Sequence, residues 1–175
     1  KVDTARKEDV DSLKKSVKAH NPHAVLTQTA SRIRVEKGDQ IRAKRVLVIE
    51  DGPTVTHGEM PYGAGFLAAQ QYGAAECVDP RPYAAGSLRA IFANYPHLKK
   101  VLPAEGYFPQ QLKDLETTIR QIPCDLVLIA TPIDLSRLIK IEQPSLRVTY
   151  RVEDWDEPKL SDLVIDFLRE RHLIG

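Results

Sequence analysis

The sequence predicts an α/β fold: a doubly wound, mostly parallel sheet flanked by helices. Three observations carry that expectation. The runs VLVIE (46–50) and LVLIAT (126–131) are almost continuous Val, Ile and Leu, as strands covered on both faces by helices read. Apolar residues at helical spacing fill the stretches between such runs. The two patterns alternate along the chain, which is the signature of strands joined by crossover helices.

Taken in order, Val10, Leu13 and Val17 fall on one face of a predicted helix over 8–20. A first strand is expected at 24–27. Residues 31–45 then carry six basic side chains, Arg32, Arg34, Lys37, Arg42, Lys44 and Arg45, around a Lys37-Gly38-Asp39 centre that reads as the turn of a hairpin. Such a segment is either a solvated hairpin or a surface for an anion. Strands follow at 45–50, 76–79, 125–131 and 146–152. The last alternates, as a strand near a sheet edge does. Shorter helices are predicted at 63–72 and 87–95. Leu112, Leu115, Ile119 and Ile122 mark a longer one from about Pro109. Pro158 suits the first turn of a final helix with the stripe Leu160, Leu163, Val164, Phe167 and Leu168. The expected organisation is an α/β body over 1–152 and an amphipathic helix over 153–175 packed on it.

Composition narrows the function classes. The chain has 175 residues, 42% hydrophobic and 28% charged, enough for one globular core or slightly more. A net charge of +1 gives no field that would gather nucleic acid. No apolar run approaches the roughly 18 residues of a membrane span, and no secretory leader pattern opens the chain. Cys77 and Cys124 follow no metal-binding spacing and lie beside strand runs, so both read as buried thiols in a reducing compartment. A cytoplasmic protein without membrane or nucleic-acid partners is expected. Residue 1 is lysine, so the chain is expected to lack an upstream portion.

Ligands of open α/β sheets bind beyond the carboxyl ends of the strands. The segments expected there are polar and rich in Gly and Pro. The richest follows VLVIE, from Glu50 to Gly65. Gly63-Ala64-Gly65 opens a helix whose free N–H groups suit an anion. Glu50 and Asp51 are candidates for holding magnesium through water or for acting as a base, although Asp51 serves equally well as a turn cap. His57, among Thr54 and Thr56, is a third candidate catalytic group. Arg81, between two prolines, offers a bidentate fork to a phosphate, or pairs with Asp79. Ser87 is a phosphate contact or a helix N-cap. The proposed phosphate-binding set is thus Thr54, Thr56, Gly63, Gly65, Arg81 and Ser87. The chain holds no Walker A loop, no paired-cysteine or histidine metal motif, and no nucleophile elbow.

VLVIEDGPTVTHGEMPYGAG, followed by AAECVDPRPYAAGS and CDLVLIATPIDL, resembles the cyclic 2,3-diphosphoglycerate synthetase family and its GTPase-like relatives over about residues 1–152. The resemblance implies a P-loop-NTPase-like, Rossmann-like fold and the carboxyl-terminal portion of a larger nucleotide-dependent protein. ATP or GTP, Mg2+ and in some members K+ are the implied cofactors, and a phosphorylated small molecule the implied substrate. The implied partner is the upstream NTPase portion of the same protein; a homodimer is a further open expectation. Lys1-Val2-Asp3 then resembles the end of an [NT]KxD base-recognition motif, with Lys1 over the ring, Asp3 on its N–H donors and Ala30 in the loop touching its carbonyl. Three functions stay open: an ATP- or GTP-dependent ligase, a nucleotide-switched regulator or chaperone, and a scaffold inactive by itself.

Overall fold

The structure is a computed structural model that describes every residue except Lys1, Thr4, Glu59, Glu105, Tyr107 and Gly175. Its elements are α1 (Lys7–His20), β1 (Thr29–Val35), β2 (Arg45–Asp51), α2 (Gly52–Thr56), α3 (Ala64–Gln71), β3 (Glu76–Cys77), α4 (Ser87–Asn94), β4 (Leu102–Ala104), α5 (Pro109–Gln121), β5 (Leu126–Ala130), β6 (Ser145–Asp154) and α6 (Leu160–Glu170). They form an α/β fold with a six-stranded sheet in the order β1-β6-β5-β2-β3, β4 also pairing with β2. The pairings of β2 with β3, β4 and β5, and of β5 with β6, are parallel. No helix among the described residues is long and apolar enough to cross a membrane.

Two compact units are distinguished: Ile33–Thr149, and Lys1–Arg32 together with Tyr150–Gly175. The first of these holds the sheet centre. Val46, Leu47, Val48 and Ile49 of β2 are all fully buried, as are Val127 and Leu128 of β5. Burial of both alternating faces explains why neither run shows a polar residue every second position. Against this sheet α5 turns Leu115 and Ile119, and α3 turns Ala68 and Ala69. Each fully buried Val, Leu or Ile contributes about 1.5–3 kcal/mol, so the centre of this sheet is a firm platform for the strand tips.

β2 has an unusual edge. β5 runs along one side from Val46 to Glu50. The other side is shared: Arg45 and Val46 face Glu76 and Cys77 of β3, while Ile49, Glu50 and Asp51 face Leu102, Pro103 and Ala104 of β4. The chain after β3 therefore leaves β2 well below its tip, and β4 takes the vacated place.

Several sequence expectations are corrected. Residues 24–27 form no strand; the strand lies at Thr29–Val35, where Ala30 and Val35 are buried and Arg32 and Arg34 face out. Ala30 therefore sits within a strand and not in the loop after one. The expected hairpin is absent. Lys37 does turn the chain with φ 58°, but into a 3-10 turn over Gly38–Ile41 whose Ile41 is fully buried. That anchor leads the chain into the core, and β1 and β2 are not neighbours in the sheet. β6 lies between β1 and β5, one place in from the edge. α6 starts two residues after Pro158. β4 and α2 were not foreseen, because a three-residue Leu-Pro-Ala run and a five-residue turn are too short for any periodicity to show.

Candidate functional site

The tip of β2 is built around a buried carboxylate. Glu50 is only 2% exposed. Its Oε1 accepts hydrogen bonds from the backbone N–H of Gly63 (3.0 Å) and of Phe66 (2.9 Å). These are N–H groups at the start of α3, the ones expected to face an anion. The anion they face is the protein's own side chain. Burial pushes the Glu50 carboxyl above its ordinary range, with the backbone N–H bonds opposing that push and the neighbouring Asp51 adding to it.

The glycines of this turn are fitted to that carboxylate. Gly63 has an ordinary extended φ of −127°, so backbone freedom is not its purpose. A Cβ there would stand 2.6 Å from Glu50 Oε2; at Gly65 it would meet Val48 Cγ1 at 2.7 Å and Ala130 Cβ at 2.9 Å. Both positions are glycine because α3 begins directly on the sheet and on Glu50.

Past Glu50 the chain turns outward. Half-buried Asp51 precedes α2, and its Oδ2 accepts a bond from the exposed Thr54 hydroxyl (3.2 Å). Thr56 is buried; its hydroxyl donates to Gly52 O (2.9 Å) and lies 3.1 Å from His57 Nδ1. A hydroxyl has one proton, and here Gly52 takes it. Thr56 Oγ1 therefore accepts from Nδ1–H, which leaves Nε2 of the exposed His57 ring as the basic nitrogen in the neutral form. The α2 turn is tied down by a residue that sequence reasoning missed: His97 Nε2–H donates to Val55 O (2.9 Å). Nothing in the motif around His97 pointed to that role.

Arg81 and Ser87 have partners of their own. Arg81 Nε and Nη2 form a fork on Asp79 at 2.9 and 2.6 Å, holding the Asp79 carboxyl below its usual range. Ser87 lies at the start of α4, where both its backbone N–H and its hydroxyl donate to Asp114 Oδ2 at 2.9 Å. Gln110 Nε2 donates to Asp114 Oδ1 at 2.8 Å. Asp114, unremarkable in the sequence beyond being polar within a helix, caps α4 from α5. Among the described residues, no described hydrogen bond or ion pair joins Arg81 or Ser87 to Glu50, Asp51 or His57. β3 pairs with the start of β2, and β4 separates the later part of this segment from Glu50: Ser87 lines a small hollow with Pro103, the strand partner of Glu50. The Arg81–Asp79 pair is more than a third exposed on both sides. Arg81→Ala is expected to change unfolding free energy by less than about 1 kcal/mol, checked by urea denaturation.

The structure thus brings Glu50, Asp51, Thr54, Thr56, His57, Gly63 and Gly65 into one turn and leaves Arg81 and Ser87 outside it. Among the described residues, no group of three or more His, Cys, Asp and Glu stands together as a metal cluster. A groove of about 460 Å3 runs along α5 beside Leu112, Lys113, Glu116 and Leu138, and it carries none of the predicted site residues.

The other unit holds the remaining candidates. Asp3 Oδ1 accepts from the backbone N–H of Ser31 (3.1 Å), and Val2 N–H donates to Thr29 O (2.8 Å). Asp3 is therefore held against the strand residue next to Ala30, which is 1% exposed. Lys1, the third member of this set, lies outside the described residues.

No family model matches the sequence. The chain is similar to the arginine synthetase ArcE of Thermococcus kodakarensis, with 46% identity over 169 residues, which is 97% of this chain and 38% of the relative. The chain thus spans well under half the length of the curated relative it matches. The relative's name is that of a synthetase, as the sequence resemblance implied, but not of the cyclic 2,3-diphosphoglycerate synthetase.

Proposed function

We propose that these 175 residues are one part of a nucleotide-dependent synthetase acting on a small molecule of the arginine type, and that the Glu50–Gly65 turn belongs to its reaction site. The observation that carries this reading is the likeness to the arginine synthetase, which extends over nearly the whole chain.

The charge of the turn supports a guanidinium or ureido substrate over a doubly phosphorylated one. Between Glu50 and Gly65 the acids are Glu50, Asp51 and Glu59, and the single basic side chain is His57. Two phosphates brought together would need several cations. Arg81 is closed on Asp79, and the N-termini of α3 and α4 are closed on Glu50 and Asp114. An acidic turn instead suits a planar guanidinium, which pairs well with carboxylates. Ring closure within 2,3-diphosphoglycerate is the second reading, favoured by the long EDGPTVTHGEMPYGAG motif.

In this reading ATP or GTP supplies the driving force. Asp51 rather than Glu50 would hold a Mg2+ ion that offsets phosphate charge, because Glu50 turns Oε1 inward onto the N–H groups of Gly63 and Phe66. His57 Nε2 moves a proton at the reacting group. Asp3, beside Ala30, accepts from the N–H donors of the nucleotide base.

The test uses the full synthetase with ATP or GTP and Mg2+, following nucleotide phosphates by 31P NMR. Turnover that depends on arginine in either reaction direction is expected. Turnover that depends on 2,3-diphosphoglycerate alone overturns the preferred reading. His57→Ala is expected to lower kcat by about 10²–10⁴-fold at unchanged thermal stability. Asp3→Ala removes a charge-assisted hydrogen bond of about 1.5–3 kcal/mol and should weaken nucleotide binding by about one to two orders of magnitude by calorimetry.

A further inference from the structure

α6 is a strongly amphipathic helix with no buried residue. Leu160, Val164 and Phe167 recur at i, i+4 and i+7, so they form one stripe, and they are 42%, 48% and 52% exposed. Nearby in sequence, Tyr150 and Val152 occupy one face of β6 at 60% and 63% exposure. α1 likewise has no buried residue, and Leu13 is 66% exposed. All of these lie in the unit made of Lys1–Arg32 and Tyr150–Gly175. Among the described residues, that unit holds most of the exposed large hydrophobic side chains, and its buried hydrophobic core amounts to Ala30. The unit Ile33–Thr149 contains the rest of the buried core. A folded chain does not ordinarily concentrate apolar area in this way unless something covers it.

We infer that the Leu160–Val164–Phe167 face of α6 is a docking surface for the remainder of the same polypeptide, the segment homologous to the part of the arginine synthetase that this chain does not span. The relative's length carries the choice of occupant: the match covers 38% of it, so most of that protein lies outside the matched region. A covalently attached partner needs little intrinsic affinity, because its effective concentration is already in the millimolar range. It also needs no polar rim built for a dissociating partner; the stripe itself is apolar, with Arg171 lying over Phe167 at 5.4 Å at its end. The inference does not depend on which substrate the synthetase takes, so its test reads no activity.

The test is amide hydrogen exchange of α6 in two proteins: the 175-residue chain and the polypeptide extended to the relative's length. Exchange at 160–170 is expected to be at least about tenfold slower in the extended protein. Val164→Asp with Phe167→Asp should leave the melting temperature of the 175-residue chain unchanged and lower that of the extended one. The milder Phe167→Ala gives the same contrast if the double variant fails to fold. Equal exchange in both proteins overturns the inference. So does a dimer of the 175-residue chain, seen by light scattering, that Phe167→Asp dissociates, because the occupant would then be a second copy.

Discussion

Glu50→Ala is expected to destabilise the protein by about 2–5 kcal/mol in urea denaturation. The substitution strands two backbone N–H groups, those of Gly63 and Phe66, beside the sheet. Each buried donor left without an acceptor costs about 1–3 kcal/mol. The loss is partly offset, because burial holds the carboxyl above its usual range and the wild-type protein pays that desolvation cost at neutral pH. The sign follows from that direction. A carboxyl whose folded pKa is raised contributes stability that is fully present below its unfolded pKa and is lost as pH rises through the folded one. Glu50→Gln keeps an oxygen for the two N–H groups and cannot ionise. It should therefore cost less than Glu50→Ala, and its stability should fall less steeply than the wild type's as pH rises through and above the ordinary carboxylate range. A Gln variant as damaged as the Ala variant at every pH would show that the ionised carboxylate, and not its geometry, holds the turn.

Gly86→Ala is expected to cost about 1.5–5 kcal/mol. Gly86 has φ +51° and ψ −126°, a conformation that L side chains rarely adopt and that costs about 1–3 kcal/mol. A Cβ would also stand 2.2 Å from the Asp114 carboxyl. Asp114 cannot retreat without releasing the Ser87 N–H, the Ser87 hydroxyl and Gln110 together. Loss of such a cap costs about 0.5–2 kcal/mol. Asp114→Ala separates the two contributions, since it loses the cap and keeps the glycine. The bonds from Ser87 and Gln110 hold the Asp114 carboxyl below its usual range, so this contribution is present above the unfolded pKa and fades as pH falls through the folded one. A Gly86→Ala protein whose melting temperature matches the wild type would contradict the tight approach of α5 to the start of α4.

The sheet was legible in the sequence where burial is two-sided. The VLVIE and LVLIA runs became the adjacent central strands β2 and β5 because only such strands carry no polar positions. The first strand was misplaced by a few residues. AVLT at 24–27 is more apolar than TASRIRV, yet the latter forms the strand, with Ile33 and Val35 on one face and Arg32 and Arg34 on the other. The candidate turn was legible as a segment but not in its wiring. Gly63 and Gly65 read from sequence as a cradle for an external anion, whereas the spacing of thirteen residues from Glu50 to Gly63 concealed an internal acceptor. Arg81 and His57 looked convergent because both follow strands. The displacement of β3 by β4 along β2 depends on the three-residue Leu102–Ala104 strand, and no local pattern announces it.

On the proposed function two adjacent carboxylates divide the labour: Glu50 anchors the turn from inside, and Asp51 would act at its outer surface. Comparing Glu50→Gln with Asp51→Asn in the full synthetase, by melting temperature and by kcat, tests that division directly. Glu50→Gln is expected to lose less melting temperature than Glu50→Ala and to keep turnover within about tenfold of the wild type. Asp51→Asn should keep the melting temperature and lose turnover by about 10²-fold or more. The reverse pattern, with Asp51→Asn fully active and Glu50→Gln stable but inactive, would contradict it.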